Sequence, residues 1–255
     1  EAQVLGGNVT GRLHLDIPTQ SFRFESQARG LDMSRVLVAE DNPSLPVIPL
    51  HWGGRVDVDS VTTWIADFQH LDSLGTSVWS SPGEPVPLQI PVTARIGYHY
   101  EMDRRACEFT SSEITTPSSQ VTFAGKLARE NSELNFVFDT EDLSTWGDFI
   151  NRLRGLDAKP QPVAGRFHWQ GALTGPLEGP TFSGRVKGTE ARYAKFYWDE
   201  VEGEVAYSSE QLRLARGRAR RGRSSADIEL ALAFDDWSFL PDNEWSLDAN
   251  LVGTD

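Results

Sequence analysis

The stretch IPVTARIGYHY (90–100) places Val92, Ala94, Ile96, Tyr98 and Tyr100 at every second position, with Thr93, Arg95, Gly97 and His99 between them. Successive side chains of an extended backbone point to opposite sides, so a period of two predicts a strand with one dry face and one wet face. The same rhythm spreads outward in both directions. GRLHLDI (11–17) alternates Leu13, Leu15 and Ile17 with Arg12, His14 and Asp16, and SFRFES (21–26) sets Phe22 and Phe24 against Arg23 and Glu25. Further on, SQVTFAGKL carries Val121 and Phe123, and ELNFVFD carries Leu134, Phe136 and Phe138. GRFHWQGAL supplies Phe167, Trp169 and Leu173, and ADIELALAF supplies Ile228, Leu230, Leu232 and Phe234. The fold class predicted is all-β and mainly antiparallel.

Two stretches break the rhythm and predict short amphipathic helices. In 58–71, Val61, Trp64, Ile65, Phe68 and Leu71 fall on one helical stripe after a capping Asp59 or Ser60. In 141–154, Leu143, Trp146, Phe149, Ile150 and Leu153 do the same, with acidic residues at the start and Arg152, Arg154 and Gly155 at the end. Trp64, Phe68, Trp146 and Phe149 are the expected anchors of these helices. The two share the wording Ser/Thr-Thr-Trp followed by Asp-Phe, which reads as a loose internal repeat of strands and one helix. Proline-rich linkers are expected at 41–49, 80–87 and 157–163. The organisation expected is a β section over 1–158 containing both helices, continued by a second over 159–255.

Composition narrows the function. The 255 residues are 39% hydrophobic and 24% charged, with 8 Trp and 13 Phe, which fits neither a disordered nor a membrane-embedded chain. A formal charge of −13 argues against non-specific nucleic-acid binding, which needs clustered cations for counterion release. Cys107 is the single cysteine, so an internal disulfide and a cysteine zinc site are both excluded. No run approaches the roughly 18 apolar residues of a membrane-crossing helix. The chain opens on Glu1 with strand pattern already under way; a section of a longer protein is expected.

Catalytic patterns are absent from the sequence. His14, His51, His70, His99 and His168 stand far apart, without metal-ligand spacing. There is no H-E-x-x-H, no G-x-S-x-G and no phosphate-binding P-loop. Cys107 alternates with Phe109 and reads as a small apolar residue, not a nucleophile. No catalytic residue, metal or cofactor is expected. The run RLARGRARRGR (213–223) reads as Arg213, Arg216, Arg218 and Arg220 on the wet side of one or two strands, with a phase slip or turn near Ala215–Gly217. A Gly-Arg-apolar phrase recurs at residues 11, 54, 165 and 184 and reads as a strand-opening device, glycine giving room, arginine taking the wet face and the next residue the dry one.

Residues 171–222 run GALTGPLEGPTFSGRVKGTEARY, then strand after strand of alternating residues; EITTPSSQVTFAGKLA (113–128) leads into LNFVFDTEDLSTW (134–146). These passages resemble the TamB branch of the AsmA-like superfamily through most of 105–234, and more loosely through 1–75. The resemblance implies a periplasm-spanning protein of Gram-negative-type bacteria, attached to the inner membrane by a helix that this stretch lacks. It implies a long sheet bent into a U-shaped trough (a "β-taco") with an apolar interior, and a role in moving phospholipids between the membranes and assembling outer-membrane proteins.

The residues fit such a role by themselves, because acyl chains need an apolar lining free of buried unpaired charge. The expected lipid-facing residues are Phe22, Phe24, Val92, Ile96, Val121, Phe123, Leu134, Phe136, Phe138, Phe167, Trp169, Phe182, Ile228, Leu230 and Leu232. The expected partner is a phospholipid or another lipid acyl chain. A scaffold whose sheet edge pairs with strands of outer-membrane barrels is the alternative. A closed β-sandwich would show the same alternation, its two dry faces filling each other, and as a carbohydrate-binding module it would account for the many Trp.

Overall fold

A computed structural model describes residues 2–32, 54–80, 91–147, 162–237 and 242–253. The proline-rich linkers, Phe149 and the remainder of the expected second helix lie wholly or mostly outside these residues. In chain order the first strands are β1 (Ala2–Val4), β2 (Gly7–Asp16), β3 (Ser21–Asp32), β4 (Arg55–Ile65), β5 (Asp67–Ser80), β6 (Thr93–Glu101), β7 (Ala106–Thr115) and β8 (Ser119–Ala128). They are followed by β9 (Ser132–Thr140), β10 (Val163–Gly175), β11 (Thr181–Tyr193), β12 (Phe196–Tyr207), β13 (Gln211–Arg221), β14 (Ser224–Ala233) and β15 (Trp245–Val252).

All fifteen strands form one sheet in sequence order, each hydrogen-bonded to the next, and β1 does not pair with β15 to close a barrel. The all-β expectation holds. A meander of this kind needs only short turns between neighbours, since antiparallel pairs can be joined by two-residue connections. The chain divides into two compact units: β1–β7 with most of β8, and β10–β15 with most of β9.

The expected helix at 58–71 is not formed. Those residues are the end of β4 and the start of β5, joined at Ala66, which takes φ 59°. Val58, Val61, Thr62, Thr63 and Ile65 are β-branched, which restricts them in a helix and suits a pleated surface. Trp64 completes the choice by stacking on Phe22 of the neighbouring strand, with ring centroids 5.0 Å apart and planes within 3°. The apparent helical stripe arises because the turn at Ala66 and an irregularity between Thr63 and Ile65 shift the alternation. Over 141–147 the expected helix is a single 3-10 turn, Leu143–Trp146. Asp142 starts it, its Oδ1 accepting the Ser144 N–H at 2.9 Å. Among the described residues the two members of the suggested repeat differ, one being a hairpin and the other beginning with a 3-10 turn.

Bulges reset the alternation wherever the sequence changes phase. In β13, Glu204 pairs with Ala215 while Glu202 pairs with Arg218, and on the other side Leu230 pairs with Leu214 while Ile228 pairs with Gly217. One extra residue is accommodated, with Arg216 at φ 50°. Arg213 before the bulge and Arg216, Arg218 and Arg220 after it then share the wet face although their parity differs. Gly30, at φ 66°, does the same in β3, where Ala28 pairs with Val58 and Leu31 with Val56.

Glycines also make room for large side chains on the apolar face. A Cβ at Gly188 would lie 2.6 Å from Phe167 Cε1 and 2.8 Å from Val201 Cγ2. Of the four Gly-Arg phrases, Gly54 and Gly165 stand at or near strand starts, with φ 135° and 118°. Gly11 and Gly184 sit inside β2 and β11 instead. A Cβ on Gly11 would press the Phe24 ring at 2.5 Å, and Gly184 pairs directly with Gly171. The phrase is therefore a strand opener at two sites and a close-packing device at the other two. Gly188→Val is expected to destabilise the protein by about 1–3 kcal/mol in urea unfolding, and a neutral result would show that Phe167 does not rest on this glycine.

Candidate functional site

Partners directly opposite in a ladder point to the same side of a sheet, so the registers trace a face from strand to strand. In the first unit, one row runs Leu15–Phe22–Trp64 across β2, β3 and β4, and the next runs Leu13–Phe24–Thr62–Ser73–Tyr100–Cys107 through β7. Further along lie Ala28–Val58–Ser77–Ile96 and then Leu31–Val56–Trp79–Ala94–Ile114. Phe109 meets Phe123 edge-on at 5.4 Å, which places β8 side chains Val121 and Phe123 on this face; Leu134 begins the alternation of β9. Val92, with Val56 and Ala94, is buried at one end of the face. The other expected residues of this unit are half-exposed.

In the second unit the rows are more uniformly apolar. Leu173–Phe182–Tyr207–Leu212–Leu232–Trp245 crosses six strands, and beside it runs Gly171–Gly184–Val205–Leu214–Leu230–Leu247. Phe136 packs edge-on against Trp169 at 5.0 Å and contacts Phe182 at 6.5 Å. Phe138 meets Trp146 at 5.8 Å, and the Trp146 indole donates to Ser119 Oγ at 2.8 Å. Trp146 is thus an anchor of the turn, while Trp64 belongs to the face itself and Phe68, 62% exposed, leans on it at 5.2 Å.

Every residue expected to face lipid, except the buried Val92, is half-exposed, and the registers add apolar residues that the alternating stretches quoted above do not include. Trp79, Tyr207, Leu212, Leu214, Trp245 and Leu247 share these rows. Their signal was present, since QLRL and WSLDANL alternate too. Leu13 and Leu247 remain 56% and 55% exposed, as no second sheet covers them among the described residues. A closed sandwich would bury such side chains. The polar members of the first unit's face satisfy each other: Ser26 and Ser60 hydroxyls lie 2.7 Å apart, and Thr62 and Ser73 hydroxyls 2.9 Å. In the second unit, the buried Trp169 Nε1 has no hydrogen-bond partner.

Charges gather on the opposite face. Arg185 reaches Glu202 at 3.1 Å, Arg218 lies between Glu202 and Asp227, and Arg220 holds Glu200 at 2.7 Å. The arginine-rich run is therefore the basic rung of a ladder flanked by acidic strands, and at this exposure each pair contributes at most about 1 kcal/mol. In the first unit His99 hydrogen-bonds Asp72 at 2.7 Å and His70 hydrogen-bonds Asp103 at 2.9 Å. Both histidines are shifted upward, chiefly by these hydrogen bonds. Asp72, His99 and Glu101 bring one potential ligand atom each within 4.8 Å of one another, but Arg104 pairs with Glu101 at 3.0 Å and the His99–Asp72 bond accounts for the rest. Cys107 lies half-buried on the apolar face opposite Tyr100, and burial pushes its thiol up, which disfavours a nucleophilic thiolate.

No described helix is long and apolar enough to cross a membrane. Compared with protein-family models, curated proteins and solved structures, the chain matches none.

The protonated imidazoles of His70 and His99 are favoured by folding. Their contribution is complete below an unfolded histidine pKa of about 6.5 and is lost as pH rises through the higher folded values. The urea midpoint is expected to fall as pH rises above about 6.5, and Asp72→Asn combined with Asp103→Asn to flatten that dependence. An unchanged pH profile in the double variant would overturn the assignment.

Proposed function

We propose that this chain is a section of a TamB/AsmA-like protein that binds and conducts phospholipid acyl chains across the periplasm, without catalysis, its sheet forming part of an apolar trough. The observation that carries the reading is the separation of chemistry between the two faces. Rows such as Leu173–Phe182–Tyr207–Leu212–Leu232–Trp245 stay apolar over six strands, while the ion pairs of the same strands lie on the other side. An acyl chain laid across such a face leaves water at a gain of about 0.8 kcal/mol per buried CH₂, and meets no charge that it would have to desolvate.

The half-exposure of the face supports the same reading. A surface meant only to hold the fold together would be covered, whereas exposed apolar patches of this extent mark binding sites.

A photoreactive benzophenone side chain at Phe24, Phe136 or Leu230 is expected to crosslink phospholipid in cells, and one at Arg185 or Lys187 is not. Leu230→Asp is expected to lower co-purifying lipid, measured by mass spectrometry, at least severalfold. Labelling confined to wet-face positions such as Arg166 would sink the reading.

A further inference from the structure

Cations gather on two hairpin tips at one end of the second unit, an end where Glu141 and Glu190 are held by Arg166. One tip joins β11 to β12 and the other β13 to β14. They are neighbours: Glu200 pairs with Arg220 across β12 and β13, and the Gly222 N–H donates to Asp199 Oδ2 at 2.6 Å, tying the second tip to the first. Both turns are tight, with Ala194 at φ 53° and Gly222 at φ 58°. Arg192 and Lys195 project from the first tip and Arg221 and Arg223 from the second, all exposed. Among the described residues none of these four has a carboxylate partner, unlike Arg218 and Arg220 just inside the second tip. Asp199 accepts the Gly222 amide and also faces Tyr197 and Arg220, without an ion pair to any of the four tip cations.

The first tip also exposes aromatic rings. Tyr193 and Phe196 are 40% and 52% exposed. Lys195 Nζ lies 5.7 Å from the centre of the Phe196 ring, which stacks on Trp198 at 5.9 Å. Cations beside aromatic rings are the residues that settle at a bilayer interface, the rings at headgroup depth and the cations among the phosphates. At the opposite end of the same unit, the exposed Glu210, Asp235 and Asp236 carry the other sign. An anionic surface therefore attracts these tips, in a chain whose total charge is −13.

We propose that these paired tips dock the unit, end-on, to the headgroup layer of a bilayer containing anionic phospholipid. The site uses no residue of the apolar face, so it holds or fails separately from acyl-chain binding. Docked in this way, the strands of the second unit would stand away from the bilayer and the charge ladder would stay in water.

Flotation of the whole chain with phosphatidylcholine vesicles, with and without phosphatidylglycerol, tests this. Binding is expected with phosphatidylglycerol, weakening as salt is raised. The variant Arg192→Gln/Lys195→Gln/Arg221→Gln/Arg223→Gln is expected to lose binding by about tenfold or more, and Tyr193→Ser/Phe196→Ser severalfold. The same number of charges removed at Arg12, Arg95, Lys126 and Arg213 is expected to leave it intact. Circular dichroism melts of each variant confirm that the sheet persists. The proposal is overturned if phosphatidylglycerol vesicles do not bind, or if the control variant loses as much as the tip variant. It is also overturned if a soluble polyanion such as heparin is held through the same four cations while vesicles are ignored.

Discussion

The structure depends on one constraint: each strand of a single sheet must satisfy its backbone through its sequence neighbours while its side chains alternate between two unlike environments. Backbone pairing along the order β1 to β15 fixes which residues sit opposite one another. Alternation then decides that a whole row, such as Leu15–Phe22–Trp64, is either dry or wet. A slip of one residue in any strand would carry its apolar set to the charged side, so every irregularity in the sequence must be absorbed locally.

Bulges and glycines do that absorbing. Gly30 and Arg216 adopt left-handed conformations and each takes up one residue, so that apolar positions of opposite parity still meet on one face. Gly188 and Gly11 remove a Cβ where the rings of Phe167 and Phe24 lie flat on the sheet. Few side chains in this arrangement are deeply buried. Among the described residues only Ser112 and Ser132 fall below 2% exposure, and both act through hydrogen bonds, Ser132 binding the Ala128 N–H and carbonyl at 3.0 Å. Stability therefore comes from ladders and half-buried contacts more than from a central core.

Charge follows the same logic at two scales. Across the sheet, Arg216, Arg218 and Arg220 of β13 pair with carboxylates of β12 and β14, so the middle of the run that looks most basic in the sequence is neutralised. Along the strands, the hairpin tips escape that pairing because no neighbouring strand extends beyond them. Arg192 and Lys195 are far in sequence from Arg221 and Arg223, yet the two pairs meet at one end. Their clustering is a consequence of register, fixed by Tyr193 opposite Phe196 and Arg221 opposite Ser224.

The sequence by itself determined the class of structure and its dry face. Phe22, Phe24, Phe136, Trp169, Leu230 and their companions were legible because a period of two needs no knowledge of partners. A break at Ala215–Gly217, by phase slip or turn, was legible too, and the registers make it a bulge within one strand. The sequence misled at 58–71, where a turn and a shift of phase placed Val61, Trp64, Ile65 and Phe68 at helical spacing. Only the tertiary structure decided that segment, because the stack of Trp64 on Phe22 and the ladder with β3 are long-range contacts outside any local pattern. It alone decided which glycines lie under rings, which arginines have carboxylates and which stand free at the tips. Those outcomes depend on which residue faces which across a hydrogen-bonded pair, and register belongs to the assembled sheet.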